Sequence, residues 1–436
     1  MKRISAVQAL GSGDYHDFAY DNMLSNKAYR VAISESSNAE KLLNSFKDRY
    51  KSYRLAWKGQ PDHAISSKLL GDKFIDFAQS PMCVDIEVAA ICDLACPFCY
   101  RQSIATPDKV MSLDLFHTII DQCVDIGVPS VKLNWRGEPL LNPKLPEMIK
   151  YAKNKGILEV IINTNATTLD KKTSLAIIDA GLDLMIYSFD GGSKETYEKM
   201  RPGRFENNYF ENVYENIRLF SELRDEKKAI FPRTKIQMIL TDDTQKEKND
   251  FIDLFNDCVD YVSVKAFTER GNNLSGLEEE IRNKVKSVLN TSSDSIPYWR
   301  DMEGSLYISS NRLPCEQPFQ RLMVTYDGRV SMCCYDWGVE NPVGYVDEAA
   351  YIDGEHEYER VIELVNDGKR GYSGFMDGVR LPNNYSNPEK KVGTIKNIWE
   401  GRDIQKVRDN HILNKIESIE VCKKCPFKET YNWKKL

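Results

Sequence analysis

The chain has 436 residues, a formal net charge of −6, and 42% hydrophobic and 28% charged residues. That length exceeds one ordinary hydrophobic core and predicts a large α/β domain with a smaller module. The acidic balance gives no electrostatic footprint for nucleic acid, and no apolar run is long enough to span a bilayer. The opening MKRISAVQALGSGDY has two early positive charges, but its apolar stretch is broken by Gln8, so no signal peptide is expected. Eleven cysteines suggest metal binding more than disulfides, and such thiolates predict a cytoplasmic protein.

Residues 1–80 are polar and aromatic-rich with weak periodicity, and NAEKLLNSFKDRYKSYRLAW is expected to be helical near its start. No chemistry is assigned to this region; packing on the next domain or covering a substrate are both open. From residue 81 the pattern becomes regular. VDIEVAA (84–90) reads as a strand leading into ICDLACPFCYR, where Cys92, Cys96 and Cys99 have C-x3-C-x2-C spacing. Cysteines at i, i+4 and i+7 could mark a helix stripe, but Pro97 lacks an N–H and clashes with the preceding turn. It also pushes Cys96 toward extended backbone, so a loop is expected. Structural zinc wants four ligands, and no fourth Cys or His follows nearby. Three thiolates can hold three irons of a cubane and leave the fourth open.

SLDLFHTIIDQCVDIG (112–127) and NPKLPEMIKYAKNKG (142–156) have helical spacing and end at glycine. SVKLNW (130–135), LEVIINTN (158–165), LDLMIYSF (182–189), TKIQMIL (234–240) and YVSVKAF (261–267) read as further strands, apolar on both faces. Strands alternating with helices imply parallel βα units. Six repeats are fewer than the eight of a closed barrel, so residues 81–270 are predicted to form a partial (βα)6 TIM-like barrel. Residues 271–314 read as a connector with a solvated helix over 276–289. LMVTYDGRVSMCC (322–334) reads as a hairpin turning at Asp327-Gly328. A polar insertion over 337–390, a short helix in TIKNIWEG and a final Cys pair complete the 315–436 module. Cys83, Cys123 and Cys258 fall on apolar patterns and read as core residues.

The cysteine loop directly after the first strand resembles that of the radical S-adenosylmethionine superfamily. The resemblance implies a [4Fe–4S] cluster held by Cys92, Cys96 and Cys99, with the cofactor chelating the open iron and yielding a 5′-deoxyadenosyl radical. Arg136-Gly137-Glu138-Pro139 resembles the family's GGEP element, with Arg in place of the first Gly, which assigns Gly137 and Glu138 to the cofactor's methionine end. The same resemblance assigns Phe98 and Tyr100 to the cofactor, near the adenine in the case of Phe98. It adds Asn163 and Asn165 to the pocket wall, Ser188 and Asp190 to the ribose and methionine ends, and Arg201 to the carboxylate.

Cys315, Cys333, Cys422 and Cys425 form a C-x17-C…C-x2-C set, with Gly328 giving a G-x4-C element similar to SPASM and twitch modules. The resemblance implies one auxiliary [4Fe–4S] cluster saturated by four thiolates, which is preferred over the closed zinc site that four cysteines can also make. A saturated cluster suits electron transfer. The expected substrate is a sugar or aminocyclitol, acted on by a dehydrogenase or epimerase supplied with electrons by a flavodoxin- or ferredoxin-type reductant. The alternative is a maturase of ribosomally made peptides that forms thioether or carbon–carbon crosslinks. Cys334 is a candidate hydrogen donor, and Tyr335 and Asp336 are candidate catalytic residues beside it.

Overall fold

The structure, a computed structural model, describes residues 7–10, 37–99, 101, 106–241, 243–266, 279–280, 283, 286–287, 298–300, 305–339, 341–348, 350, 392–423, 425, 427 and 430–436. Tyr100, most of the expected 276–289 helix and most of the 337–390 insertion lie outside these residues.

Six parallel strands form the centre: β2 (Cys83–Ile86), β3 (Ser130–Lys132), β4 (Glu159–Thr164), β5 (Leu184–Ser188), β6 (Arg233–Leu240) and β7 (Tyr261–Ala266). All six coincide with expected strands. The first two are shorter than expected because the chain turns into site loops after Ile86 and Lys132. A strand β1 (Val7–Leu10) adds in parallel to β7 at one edge. At the other edge β10 (Arg321–Val324) adds in parallel to β2, followed by β11 (Arg329–Ser331) and β12 (Pro342–Tyr345) in antiparallel pairing. The order is β1-β7-β6-β5-β4-β3-β2-β10-β11-β12, an open sheet among the described residues. This sheet runs across the expected divisions at 80 and 315. A separate three-stranded sheet, β13-β9-β8, joins Tyr431–Lys435, Leu306–Arg312 and Tyr298–Arg300.

Helices α1 (Ser37–Ser66), α2 (Asp72–Phe77), α3 (Leu113–Asp125), α4 (Leu145–Asn154), α5 (Lys171–Ala180), α6 (Lys194–Met200), α7 (Phe210–Glu226) and α8 (Lys248–Phe255) follow in chain order. The Ser112, Asp170 and Ser193 side chains accept the first-turn N–H groups of α3, α5 and α6, which fixes where these helices begin. Side chains alternate across a strand with period two. One set, including Val131, Val160, Ile162, Met185, Ile236, Met238, Val262 and Val264, joins Phe116, Ile119 and Ile120 of α3 in the main core. The alternate set includes Lys132, Ile161, Asn163, Ile186, Lys235, Gln237 and Lys265 and faces the concave side. Among the described residues of these six strands, Ile161, Leu184 and Ile186 form the apolar cluster on this side and lysine, asparagine and glutamine fill other positions, so the expectation of strands apolar on both faces fails here.

Helix α1 places Phe46, Tyr50, Tyr53 and Trp57 against Cys83, Leu158 and Ile230. The Arg233 guanidinium lies 5.1 Å from the Tyr50 ring centroid and donates to Glu159 at 2.7 Å, both charged side chains being fully buried. Cys83, Glu159 and Arg233 are the first residues of their strands, so α1 closes the N-terminal end of the barrel. The cysteine loop leaves the opposite end, so α1 covers no substrate there.

The C-terminal module is tied to this scaffold through backbone and side chains. Met82 N–H donates to the Gln320 carbonyl at 2.7 Å, and Glu87 N–H to the Val324 carbonyl at 2.8 Å. Gln60 donates to the Phe319 carbonyl, and Gln320 to that of Trp57. Four helices complete the module: α9 (Gln317–Gln320), α10 (Ile395–Trp399), α11 (Arg402–Ile412) and α12 (Glu420–Lys423). The Trp399 indole donates to the Ala78 carbonyl at 2.8 Å, seating α10 on the α2 end. Gly328, at the hairpin tip, has φ +96°, and a Cβ there would sit 2.8 Å from that of Asp347.

Candidate functional site

After β2 the chain passes through Cys92, Cys96 and Cys99 at the C-terminal end of the sheet. Cys96 is buried and the other two are half-buried. The expected loop is observed, with Cys99 N–H donating to the Cys96 carbonyl at 3.0 Å across Pro97. The segment after α6 clamps it from outside. Ala95 N–H donates to the Pro202 carbonyl at 2.8 Å, and Arg204 N–H to that of Asp93 at 2.7 Å. The Arg204 guanidinium reaches the Cys92 carbonyl at 3.3 Å and forks onto Asp108 at 2.8 and 2.9 Å. Arg101 joins the same carboxylate at 2.9 Å and donates to the Ala90 carbonyl.

The turn after β3 packs under the loop. A Cβ on Gly137 would lie 2.3 Å from the Ala89 carbonyl oxygen and 2.4 Å from that of Ile91, so only glycine fits. Glu138 N–H donates to the Ile91 carbonyl at 2.8 Å. The buried Glu138 carboxyl accepts from Leu140 N–H, Thr164 Oγ1 and Asn165 N–H at 3.1, 2.6 and 2.7 Å, joining the ends of β3 and β4. Burial, and then the nearby Asp93 charge, push Glu138 up to about 8, against the pull of those three donors. Asn165 donates to Asp93 at 2.7 Å, so it steadies the cysteine loop directly. Asn163 sits one position from the end of β4 with a buried Oδ1 that has no hydrogen-bond partner.

Asp190 is fully buried, and both its oxygens are occupied. Oδ2 accepts from Arg201 at 2.9 and 2.6 Å, and Oδ1 accepts from Ile239 N–H at 2.7 Å. The Arg201 guanidinium is thereby held 5.8 Å from the Phe98 ring centroid. Burial pushes the Cys96 thiol up to about 12, with the Arg201 charge opposing it. Ser188 ends β5 half-buried on the same rim. Cys92, Cys96, Cys99, Phe98, Gly137, Glu138, Asn165, Asp190 and Arg201 therefore belong to one connected cluster of contacts.

The second thiol set also converges. Cys315, Cys333, Cys422 and Cys425 line one cavity together with Arg312, Tyr335, His411 and Phe427. They come from the start of α9, the end of β11, α12 and the segment after it. No disulfide links any of the eleven cysteines. Among the described residues, no group of three or more His, Cys, Asp or Glu side chains is drawn together as a single metal ion requires. The four thiols line that cavity, a donor set whose chemistry fits an iron–sulfur cluster. Tyr335 packs on Phe427 with ring centroids 5.0 Å apart. Asp336 is buried away from the cavity lining, accepting from Ser331 Oγ at 2.6 Å and Asn341 N–H at 3.2 Å. The Cys334 thiol points to Gln317 Oε1 at 3.8 Å.

Three residues outside the expected site set matter here. His411 has no sequence signature beyond its place on a helix, yet it lies in the four-cysteine cavity. Trp135 and Arg136 join the two thiol sites. The Trp135 indole donates to the Cys334 carbonyl at 3.0 Å. Arg136, standing where the resemblance has glycine, forks onto Glu87 at 2.6 and 2.7 Å and donates to the Trp337 carbonyl at 3.1 Å.

A parallel sheet with an incomplete metal-ligand loop at its C-terminal end is the architecture of a cofactor-dependent α/β enzyme. Residues 86–254 match the profile of the Radical SAM superfamily. These residues are thus similar to a radical SAM superfamily domain, and that superfamily uses a [4Fe–4S] cluster and S-adenosylmethionine. The GTP 3',8-cyclase of Chlorobaculum tepidum is 35% identical over 127 residues, 28% of this chain and 37% of that protein. The AdoMet-dependent heme synthase of Methanosarcina barkeri is 32% identical over 135 residues, 30% of this chain and 38% of that protein. The matches thus span under half the length of these curated relatives. Among solved structures, BtrN in complex with AdoMet and 2-DOIA aligns over 82% of this chain and 100% of its own, at 15% identity and TM-score 0.40. Streptococcus suis SuiB bound to precursor peptide SuiA aligns over 74% and 73%, at 15% identity and TM-score 0.43.

Proposed function

We propose that the protein is a radical enzyme acting on a small hydrophilic substrate, with an auxiliary [4Fe–4S] cluster in the four-cysteine cavity that exchanges an electron with the substrate radical. When bound, the first cluster and S-adenosylmethionine supply a 5′-deoxyadenosyl radical able to abstract hydrogen from an unactivated C–H bond. Cys92, Cys96 and Cys99 would hold the first cluster. Phe98, Asn163, Asn165, Ser188 and Arg201 would line the cofactor. Glu138, Asp93 and Asp190 act through others: they hold the loop, the β4 end and Arg201 in place. The observation carrying this reading is the direct contact of Trp135 and Arg136 with the 334–337 segment, which sets the two thiol sites on one rigid scaffold. Anaerobic reconstitution tests it. Cys422→Ser is expected to lower iron from about eight to about four per chain while leaving 5′-deoxyadenosine formation intact. Zinc in the four-cysteine site would sink the auxiliary-cluster reading.

The concave face favours an anionic sugar derivative over a cationic aminocyclitol. Lys132, Lys235 and Lys265 alternate with core residues on β3, β6 and β7, so all three face the barrel interior. Burial, then the charges of Lys265 and Lys132, push the ammonium of Lys235 well down. A negative group on the substrate would relieve that repulsion, and a second ammonium would add to it. Among nucleotide sugars, uronic acids and aminocyclitols, deuterium transfer into 5′-deoxyadenosine is expected from an anionic member. Lys235→Met should then raise its KM tenfold or more with the affinity for S-adenosylmethionine unchanged. Turnover of the aminocyclitols alone would refute the charge argument.

A further inference from the structure

His411 ends α11 fully buried, between two of the four cavity cysteines. Its Nδ1 lies 3.1 Å from the backbone nitrogen of Cys315. Its Nε2 lies 3.6 Å from the sulfur of Cys422. A backbone N–H can only donate, so Nδ1 must be the acceptor. An imidazole that accepts at Nδ1 carries its proton on Nε2. The proton is therefore directed at the Cys422 sulfur, and this tautomer follows from the Cys315 contact alone. Arg312 is the cation at the same cavity; its guanidinium donates to the Cys425 carbonyl at 2.9 Å and lies 4.3 Å from the Tyr431 ring centroid.

We propose that His411 is a positioning residue for the auxiliary site: locked by Cys315 N–H, it donates an Nε2–H hydrogen bond to the Cys422 thiolate and raises the reduction potential of the cluster held there. This rests on the auxiliary-cluster reading above. A thiolate ligand carries more negative charge when its cluster is reduced, so a donor aimed at it stabilises the reduced form more than the oxidised one. The one-electron couple is then easier to fill by a substrate radical. The protein leaves nothing to chance in this contact, because the donor sits on one helix, the acceptor on the next, and the tautomer is set by a ligand's own backbone.

Two variants separate this role from simple packing. Asparagine at 411 can keep an acceptor near the Nδ1 position but has no group at the Nε2 position. Glutamine places an N–H donor near the Nε2 position. The experiment begins by counting iron and zinc in the reconstituted wild-type holoenzyme; about four irons with zinc would defeat the auxiliary-cluster reading itself, and the present proposal with it. With about eight irons per chain, potentiometric titration followed by electron paramagnetic resonance reads the auxiliary couple. His411→Asn is expected to make reduction about tenfold less favourable at a fixed potential, a downward shift of about 59 mV for one electron. His411→Gln is expected to restore most of the shift. An unchanged potential in His411→Asn overturns the proposal. So does loss of the auxiliary irons in both variants, or a directly bonded nitrogen signal in the wild type, because His411 would then be a ligand.

Discussion

Arg136→Ala is expected to destabilise the fold by about 3–5 kcal/mol, the cost of removing one partner of a buried ion pair. The Arg136 and Glu87 side chains are both completely shielded from solvent. Deleting the guanidinium leaves the Glu87 carboxylate without its two shortest donors, with Tyr326 N–H at 3.3 Å remaining. It also removes the Arg136 donor to the Trp337 carbonyl and the cation stacked 4.7 Å from the Trp135 ring centroid. Urea unfolding should show the midpoint falling with little change in slope. The double change Arg136→Met with Glu87→Leu should recover most of the loss, since an apolar pair of similar volume replaces a buried ion pair at little cost. A single variant as stable as the parent would show that the pair adds nothing to the junction. Arg136→Gly restores the usual residue at this turn and should still be destabilising, because the gap left at Glu87 is the same.

The second large effect is chemical. Cys96→Ala should abolish formation of 5′-deoxyadenosine while lowering iron by about four per chain. Cys96 is the buried member of its trio, and the charges of Arg201 and Asp190 both act on its thiol. The loop itself is pinned by backbone contacts to Pro202, Arg204 and Glu138 rather than by the thiol. Folding should therefore survive, and far-ultraviolet circular dichroism should match the parent. The iron retained in Cys96→Ala should be the iron lost in Cys422→Ser. Retention of full cofactor cleavage by Cys96→Ala would remove the cysteine loop from the active site.

The barrel strands were legible because each is an apolar run, and the helices before β3, β4 and β5 stop at Gly127, Gly156 and Gly181. The concave side was less so. Lys132, Asn163 and Lys235 interrupt otherwise apolar segments, and only the sheet register shows that they face one interior. Helix α1 left a readable trace that a search for weak periodicity passes over: Phe46, Tyr50, Tyr53 and Trp57 fall at helical spacing within a strongly charged stretch. The two cysteine sets were picked out by spacing together with the resemblance to radical S-adenosylmethionine enzymes and twitch modules. His411 was not, because a histidine on a polar helix has no local pattern tying it to a cysteine eleven residues on. Asp190 shows the limit of transferring roles by position, for its carboxylate is fully engaged by Arg201 and Ile239.

The pairing of β10 with β2 has a consequence for how this protein comes into being. Asp85 and Arg321 bond across that seam although 236 positions separate them in the chain. Strand β2 carries the cysteine loop at its end, yet one of its two hydrogen-bonding edges stays open until β10 arrives. Closing so long a loop is entropically slow, and sheets built from distant partners fold late. During synthesis the nascent radical domain would present a bare parallel edge, a template for association with other chains. A fragment ending near Ala266 is therefore expected to aggregate rather than to behave as a minimal enzyme, and iron insertion into the first loop should follow completion of the C-terminal hairpin.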